Sequence, residues 1–124
     1  MKEDIIFYLK TKMTSPISYL WKNVNVLIDR PIWSKHPKWW FDYELNYWFI
    51  PWTSSWDWEE LDAYVIWIKE PLETFDWKCI AVIHRLWEDD DKLIVVPDWI
   101  IVNDEDIRRL TFFQEQYFES VILR

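Results

Sequence analysis

Short apolar runs rich in β-branched and aromatic residues recur along the chain at Val24–Ile28, Asn46–Ile50, Leu61–Ile68, Lys78–His84 and Lys92–Val96. Each is bounded by clusters of Pro, Asp, Asn or Ser, the residues that turn a chain. Runs of this length and composition fit pleated, half-buried strands, so five strands closing a small barrel or sandwich are predicted. The period then changes. Ile107, Leu110, Gln114, Tyr117, Phe118 and Val121 recur at helical spacing. Asn103 can cap the start, and Asp104, Glu105 and Asp106 suit the positive end of a helix dipole. One helix from Asn103 to about Ser120, packed along the barrel, is therefore expected. Residues 1–22 do not join the pattern and read as an N-terminal extension, with Met13 an alternative start to Met1; residues 23–124 read as the barrel domain.

Composition changes this picture at one point. The chain has 12 tryptophans and no glycine in 124 residues, whereas ordinary usage gives about nine glycines in such a length. Trp52, Trp56 and Trp58 punctuate a polar, turn-rich run, and Trp33, Trp77 and Trp99 stand at expected turns between apolar runs. Turns call for residues that tolerate positive φ, and indole-bearing residues do not. Most of these positions are expected to be glycine in the functional protein, through a codon read as Gly in the source organism and as Trp in translation.

Other function classes are narrowed by what the chain lacks. A lone Cys79 inside an apolar run reads as a core thiol, which leaves no disulfide framework and no cysteine metal site. No apolar stretch has the length of a membrane span, and Ile5–Leu9 is too short and too poorly flanked for a signal peptide, so a cytoplasmic protein with no membrane partner is expected. The net charge of −8, with no basic residues interleaving the aromatics, argues against nucleic acid.

Candidate chemistry lies in two acidic clusters. Asp57, Glu59, Glu60 and Asp62 straddle a loop and the start of a strand, where several carboxylates can converge on one hard cation such as Mg²⁺. Glu88 to Asp91 precede Lys92 and a second strand. Lys35, Tyr43, Tyr47, Arg85, Lys92 and Tyr117 form a phosphate-compatible set. Carboxylates for a divalent cation together with Lys, Arg and Tyr for phosphate oxygens are what phosphoryl transfer to water needs.

With glycine read at the suspect positions, Tyr43 to Tyr64 becomes Y-x-L-N-Y-G-F-I-P-G-T-S-S-G-D-G-E-E-L-D-A-Y. This segment resembles the signature of the soluble, single-domain family I inorganic pyrophosphatases, in which N-Y-G-x-I-P precedes D-G-D-P-x-D. Asn25–Pro31, Asp90–Pro97 and Phe113–Tyr117 are similar to three further segments of that family, in the same order. The resemblance implies a five-stranded OB-like barrel, mainly β with a C-terminal helix packed on it, and Mg²⁺-dependent hydrolysis of pyrophosphate to two phosphates. It implies Asp57, Asp62, Asp90 and Glu59 as metal ligands and Asp57 and Glu59 as the residues that activate water. Asp29 matches an outer acidic residue. Tyr43, Tyr47, Lys92, Tyr117 and Lys35 match substrate-binding residues, with Lys35 and Lys38 both open for one phosphate role. Homo-oligomer formation is left open.

Departures from the family pattern also bear on activity. Glu59 is longer than the family's aspartate, Glu60 replaces a proline, Phe118 stands where the family has a phosphate-binding lysine, and the loop at Leu86–Asp89 is short. A second reading is thus a pyrophosphatase-like module that binds a phosphate ligand with weak or no turnover. A Trp-rich sugar or single-strand binder would need the indoles on one exposed face, and their placement in turns argues against it. His36 and His84 lack metal-ligand spacing; His36, beside Pro37, is a candidate phosphate contact, and His84 reads as a packed or hydrogen-bonded strand residue.

Overall fold

The computed structural model describes residues 16–51, 61–87, 90–97 and 100–124. Asp57, Glu59 and the first twelve residues lie outside them. A 3₁₀ turn, Pro16–Tyr19, leads into β1 (Asn23–Arg30), followed by β2 (Asn46–Ile50), β3 (Leu61–Val65), β4 (Thr74–Arg85), β5 (Asp91–Val96), helix α1 (Asp104–Glu115) and β6 (Ser120–Leu123). The sheet runs β1-β2-β3-β5-β4, and β4 pairs back onto β1, so five strands close a barrel. All pairs are antiparallel except β3 with β5, which is parallel. This is the mainly β barrel with one C-terminal helix that the apolar pattern predicts.

Closure depends on β4, the longest strand. Thr74–Lys78 pairs with β1, and Lys78–His84 pairs with β5, with an irregularity between Cys79 and Ala81. A bulge bends a strand and increases its twist, which is how one strand can serve two sides of a barrel.

The strands read as continuous apolar runs because both faces are buried. Inside the barrel lie Val26, Leu61, Ala63, Val65, Cys79, Val82, Leu93 and Val95. The alternate residues Tyr64, Ile66, Ile83, Ile94 and Val96 face outward and are covered by Val102, Ile107 and Phe113, which α1 and its approach supply. Cys79 is a buried free thiol, and burial pushes it up to about 12.

Three boundaries differ from the expectation. β3 ends at Val65 rather than Ile68, and β4 begins at Thr74 rather than Lys78. Helix α1 stops at Glu115, not near Ser120, with Gln116 as C-cap. No glycine or proline marks that stop. What takes the chain away is the far edge of β4, where Val82–Arg85 pairs with β6. An open strand edge is a row of unmet backbone donors and acceptors, and pairing it outweighs one more helical turn.

Among the described residues, tryptophan carries all the left-handed backbone. The described non-glycine residues with positive φ are Trp21 (66°), Trp33 (71°), Trp40 (61°), Trp67 (71°) and Trp87 (68°). The left-handed region brings Cβ against the following carbonyl oxygen. Trp21, Trp33, Trp40 and Trp87 are exposed, so little packing offsets that clash. Trp77 is not in a turn: it pairs with Val24 inside the β1–β4 ladder. Trp99 lies outside the described residues.

Candidate functional site

Strand periodicity gathers the chemistry on one face. Asp62 lies two residues before Tyr64, Lys92 two before Ile94 and Arg85 two after Ile83. Each therefore shares the outward face of its strand with a residue of the outer apolar layer. In the parallel β3–β5 pair Asp62 is the register partner of Lys92. The result is a cavity of about 590 Å³ whose lining includes Tyr43, Tyr47, Asp62, Arg85, Asp90, Lys92, Tyr117 and Phe118, with His36, Trp39 and Phe41 along an aromatic side. Of the residues that sequence reasoning selected, the structure brings together His36, Tyr43, Tyr47, Asp62, Arg85, Asp90, Lys92 and Tyr117.

Lys92 is the centre of the arrangement. Its side chain is 2% exposed, and its Nζ donates to Asp62 Oδ2 and, at 2.7 Å, to Asp90 Oδ1. Tyr47 Oη donates to the same Asp62 oxygen at 3.0 Å. Burial opposes the charged form of Lys92, but Tyr47, Asp62 and Asp90 outweigh it and hold the ammonium above its ordinary value. Burial also lifts the Asp62 carboxyl above the usual carboxylate range, against the pull of Lys92. Taken singly, burial disfavours both charges; in direct contact each charge supplies the other's missing solvation, and the charged pair is the state the geometry supports.

A second network adjoins the first. Arg85 Nε donates to Glu115 Oε1 at 3.0 Å and Nη2 to Glu115 Oε2 at 2.7 Å, the two-pronged geometry that guanidinium and carboxylate favour. Nη1 reaches Asp90 Oδ2 at 3.0 Å. Tyr64 Oη donates to Glu115 Oε2 at 2.6 Å and accepts from Gln114 Nε2 at 2.6 Å. Phe118 lies under the guanidinium, its ring centroid 3.7 Å from Cζ. Glu115, Tyr64 and Gln114 were not selected from sequence. Gln114 falls on the packed face of the helical pattern, but Glu115 stands there as an ordinary polar position, and only the docking of α1 shows that it faces inward.

The phenols form a stack. Tyr43 and Tyr47 lie with centroids 5.5 Å apart and planes 19° apart, and Tyr47 and Tyr64 are 4.8 Å apart. Burial raises all three hydroxyls above their ordinary value, so they remain neutral donors at neutral pH. Tyr117 stands exposed at the rim, 6.4 Å from Phe41. His36 Nδ1 accepts from the backbone N–H groups of Lys38 and Trp39, at 3.1 and 3.0 Å, which leaves that nitrogen without a proton. Burial and then Arg30 and Lys38 lower its pKa, so His36 brings no positive charge to the cavity at neutral pH.

Lys35 does not line the cavity. It pairs with Asp42 at 2.8 Å across a bridge between residues 35 and 42, with both side chains more than half exposed. Lys38 is exposed and lies over the ring of Trp39 at 4.8 Å. Asp29 is an exposed partner of Arg30. His84 is hydrogen-bonded to Asp91 at 2.6 Å. Asn46, fully buried, accepts from the N–H groups of Ile32 and Leu72 and donates to Glu70, which ties two loops to the start of β2 below Tyr47.

The donor set suits a hard divalent cation. Asp62 and Asp90 converge on one ammonium, so the same two carboxylates can meet a cation from the cavity side. Mg²⁺ is typically held by one or two carboxylates, phosphate oxygens and several waters. Among the described residues no group of three His, Cys, Asp or Glu side chains gathers as a metal cage.

The chain matches no protein-family model and no curated protein sequence. Its fold is similar to solved bacterial inorganic pyrophosphatases. With the enzyme of Ehrlichia chaffeensis the TM-score is 0.63 at 19% identity, over 82% of this chain and 84% of that one. For that of Coxiella burnetii the values are 0.59, 18%, 79% and 78%, and for that of Neisseria gonorrhoeae 0.58, 22%, 86% and 79%. Identity this low establishes a shared fold.

Proposed function

We propose that the protein is a Mg²⁺-dependent inorganic pyrophosphatase, which hydrolyses pyrophosphate to two phosphates. The observation that carries this reading is the convergence of Asp62 and Asp90 on Lys92, walled by Tyr47, Tyr43 and Tyr117, in one cavity on a barrel whose fold is similar to that of pyrophosphatases. Asp62 and Asp90 would hold the metal. Bound Mg²⁺ supplies charge that draws electron density from the phosphate oxygens. Lys92 would donate to the oxygens of the departing phosphate, and Tyr47 would join it by turning its single proton from Asp62 to the anion. Tyr43 and Tyr117 would bound the anion, and Asp57, Glu59 or both would help take the proton of the attacking water. In the reaction a water oxygen bonds to one phosphorus, the bridging P–O bond breaks, and the bridging oxygen leaves with the second phosphate. Most of the rate would come from positioning and fixed charge. Lys35, held by Asp42 outside the cavity, has no part in this scheme.

A second reading, a phosphate-ligand-binding module without turnover, is favoured by the apolar Phe118 at the cavity wall and by the occupation of both carboxylates by Lys92. One experiment separates the two: pyrophosphate binding by calorimetry and phosphate release, both with Mg²⁺. Asp62→Asn should abolish release, because it removes a ligand charge at nearly constant shape. It also leaves buried Lys92 with Asp90 alone and should lower the melting temperature, so release is measured well below the transition. Both measurements are made on the chain with glycine restored at the suspect tryptophan positions, so that backbone strain does not confuse the result. Binding without release in that folded protein would sink the enzyme reading and leave the module.

The protein that performs this reaction, we further propose, carries glycine at most of its tryptophan positions. Support comes from the backbone: among the described residues those with positive φ are all tryptophan, and four of these five have exposed indoles. A mass spectrum of the protein from its source organism checks this, and masses that require tryptophan at residues 21, 33, 40, 67 and 87 would refute it.

A further inference from the structure

Beside Lys92, the cavity lining described above holds one other charged base, Arg85 on β4. Like Lys92 it is paired with carboxylates, whereas His36 is neutral. What distinguishes Arg85 is how firmly it is held: Glu115 takes Nε and Nη2, Tyr64, itself held by Gln114, donates to Glu115, and Phe118 supports the flat face. Nη1 donates to Asp90 on the cavity wall. A buried ion pair costs desolvation that an apolar pair would not. This one, made by a helix end and a strand end, holds a guanidinium rigidly beside the proposed ligand.

We propose that Arg85 is a further phosphate-contacting residue of this site, with Glu115 and Phe118 as the residues that position its guanidinium. A guanidinium keeps its charge at any working pH and strengthens a hydrogen bond to a phosphate oxygen by that charge, and an arginine already immobilised loses little freedom on binding. Phe118 acts as the platform rather than as a gap in the charge of the site. The proposal rests on the pyrophosphatase reading for the identity of the ligand.

The test measures binding of inorganic phosphate by the full chain with Mg²⁺ by calorimetry, well below the melting temperature, beside steady-state pyrophosphate kinetics. Arg85→Met should weaken phosphate binding about tenfold or more, the loss of a charge-assisted hydrogen bond, and should raise KM more than it lowers kcat. Arg85→Lys should keep part of that affinity. Because Arg85→Met strands a buried Glu115, the double variant Arg85→Met/Glu115→Gln carries the same test in a neutral network. Adding Phe118→Lys to that background brings an ammonium to the same wall and should restore binding. A solely structural Arg85 would lower the melting temperature and leave phosphate affinity unchanged in all these variants, which overturns the inference and spares the proposed function. A parent chain that binds neither phosphate nor pyrophosphate overturns both.

Discussion

At Trp87 an indole 90% exposed to solvent sits on backbone at φ 68°. Such a residue gains almost nothing from its side chain and bears the steric cost of its Cβ, of order 1–2 kcal/mol. Trp87→Gly should therefore stabilise the chain by about 1 kcal/mol in denaturant titrations, while Trp87→Ala, which keeps Cβ, should not. Equal effects of the two would remove φ as the cause. At the same scale, Asp62, Asp90 and Lys92 were legible in the sequence because charged side chains at the ends of apolar strands need a reason to be there. Lys35 was legible as a cation but not as a surface one. Its partner Asp42 is seven residues away, and nothing in the pattern says that the two strands of that bridge face each other.

Secondary structure was legible where local chemistry decides it. Asn103 caps α1 as its sequence suggests: its Oδ1 accepts from the Asp106 N–H at 2.8 Å, and three acidic residues occupy the first turn. Asn103→Ala should cost about 1 kcal/mol in urea denaturation. Because α1 ends in Glu115, the same change should also loosen the grip on Arg85, seen as weaker protection of the Arg85 Nε–H from exchange. The other end of the helix was not legible. Tyr117, Phe118 and Val121 continue a helical period, yet Phe118 turns under Arg85 and Val121 pairs with His84 in β6. Where two local structures are both permitted, the partner strand decides.

At the scale of the whole molecule, one face of the barrel carries a buried polar assembly in which Tyr43, Tyr47, Tyr64 and Lys92 are all shifted upward. A raised folded-state pKa contributes stability that is fully present below the unfolded value and is lost as pH rises through the folded one. For these phenols the window opens above about 10 and for Lys92 above about 10.4. Stability should therefore fall with alkaline pH, and ionisation of the three phenols, followed by ultraviolet absorbance, should come late and coincide with unfolding. Early ionisation in a still-folded protein would contradict the assigned burial. The described residues include no helix long and apolar enough to cross a membrane.

The sequence alone determined the strand-rich architecture, the five barrel strands and the capped start of the helix, and it marked several of the charged residues that line the cavity, because periodicity, capping and charge placement are local properties. Tertiary structure decided which of those charges meet. Parallel pairing of β3 with β5 sets Asp62 opposite Lys92, and a long, bent β4 brings Arg85 to the same face. Docking of α1 then turns Glu115 inward. These juxtapositions depend on register between segments far apart in the chain, and a one-residue slip would send each side chain to the opposite face. No local pattern contains that information.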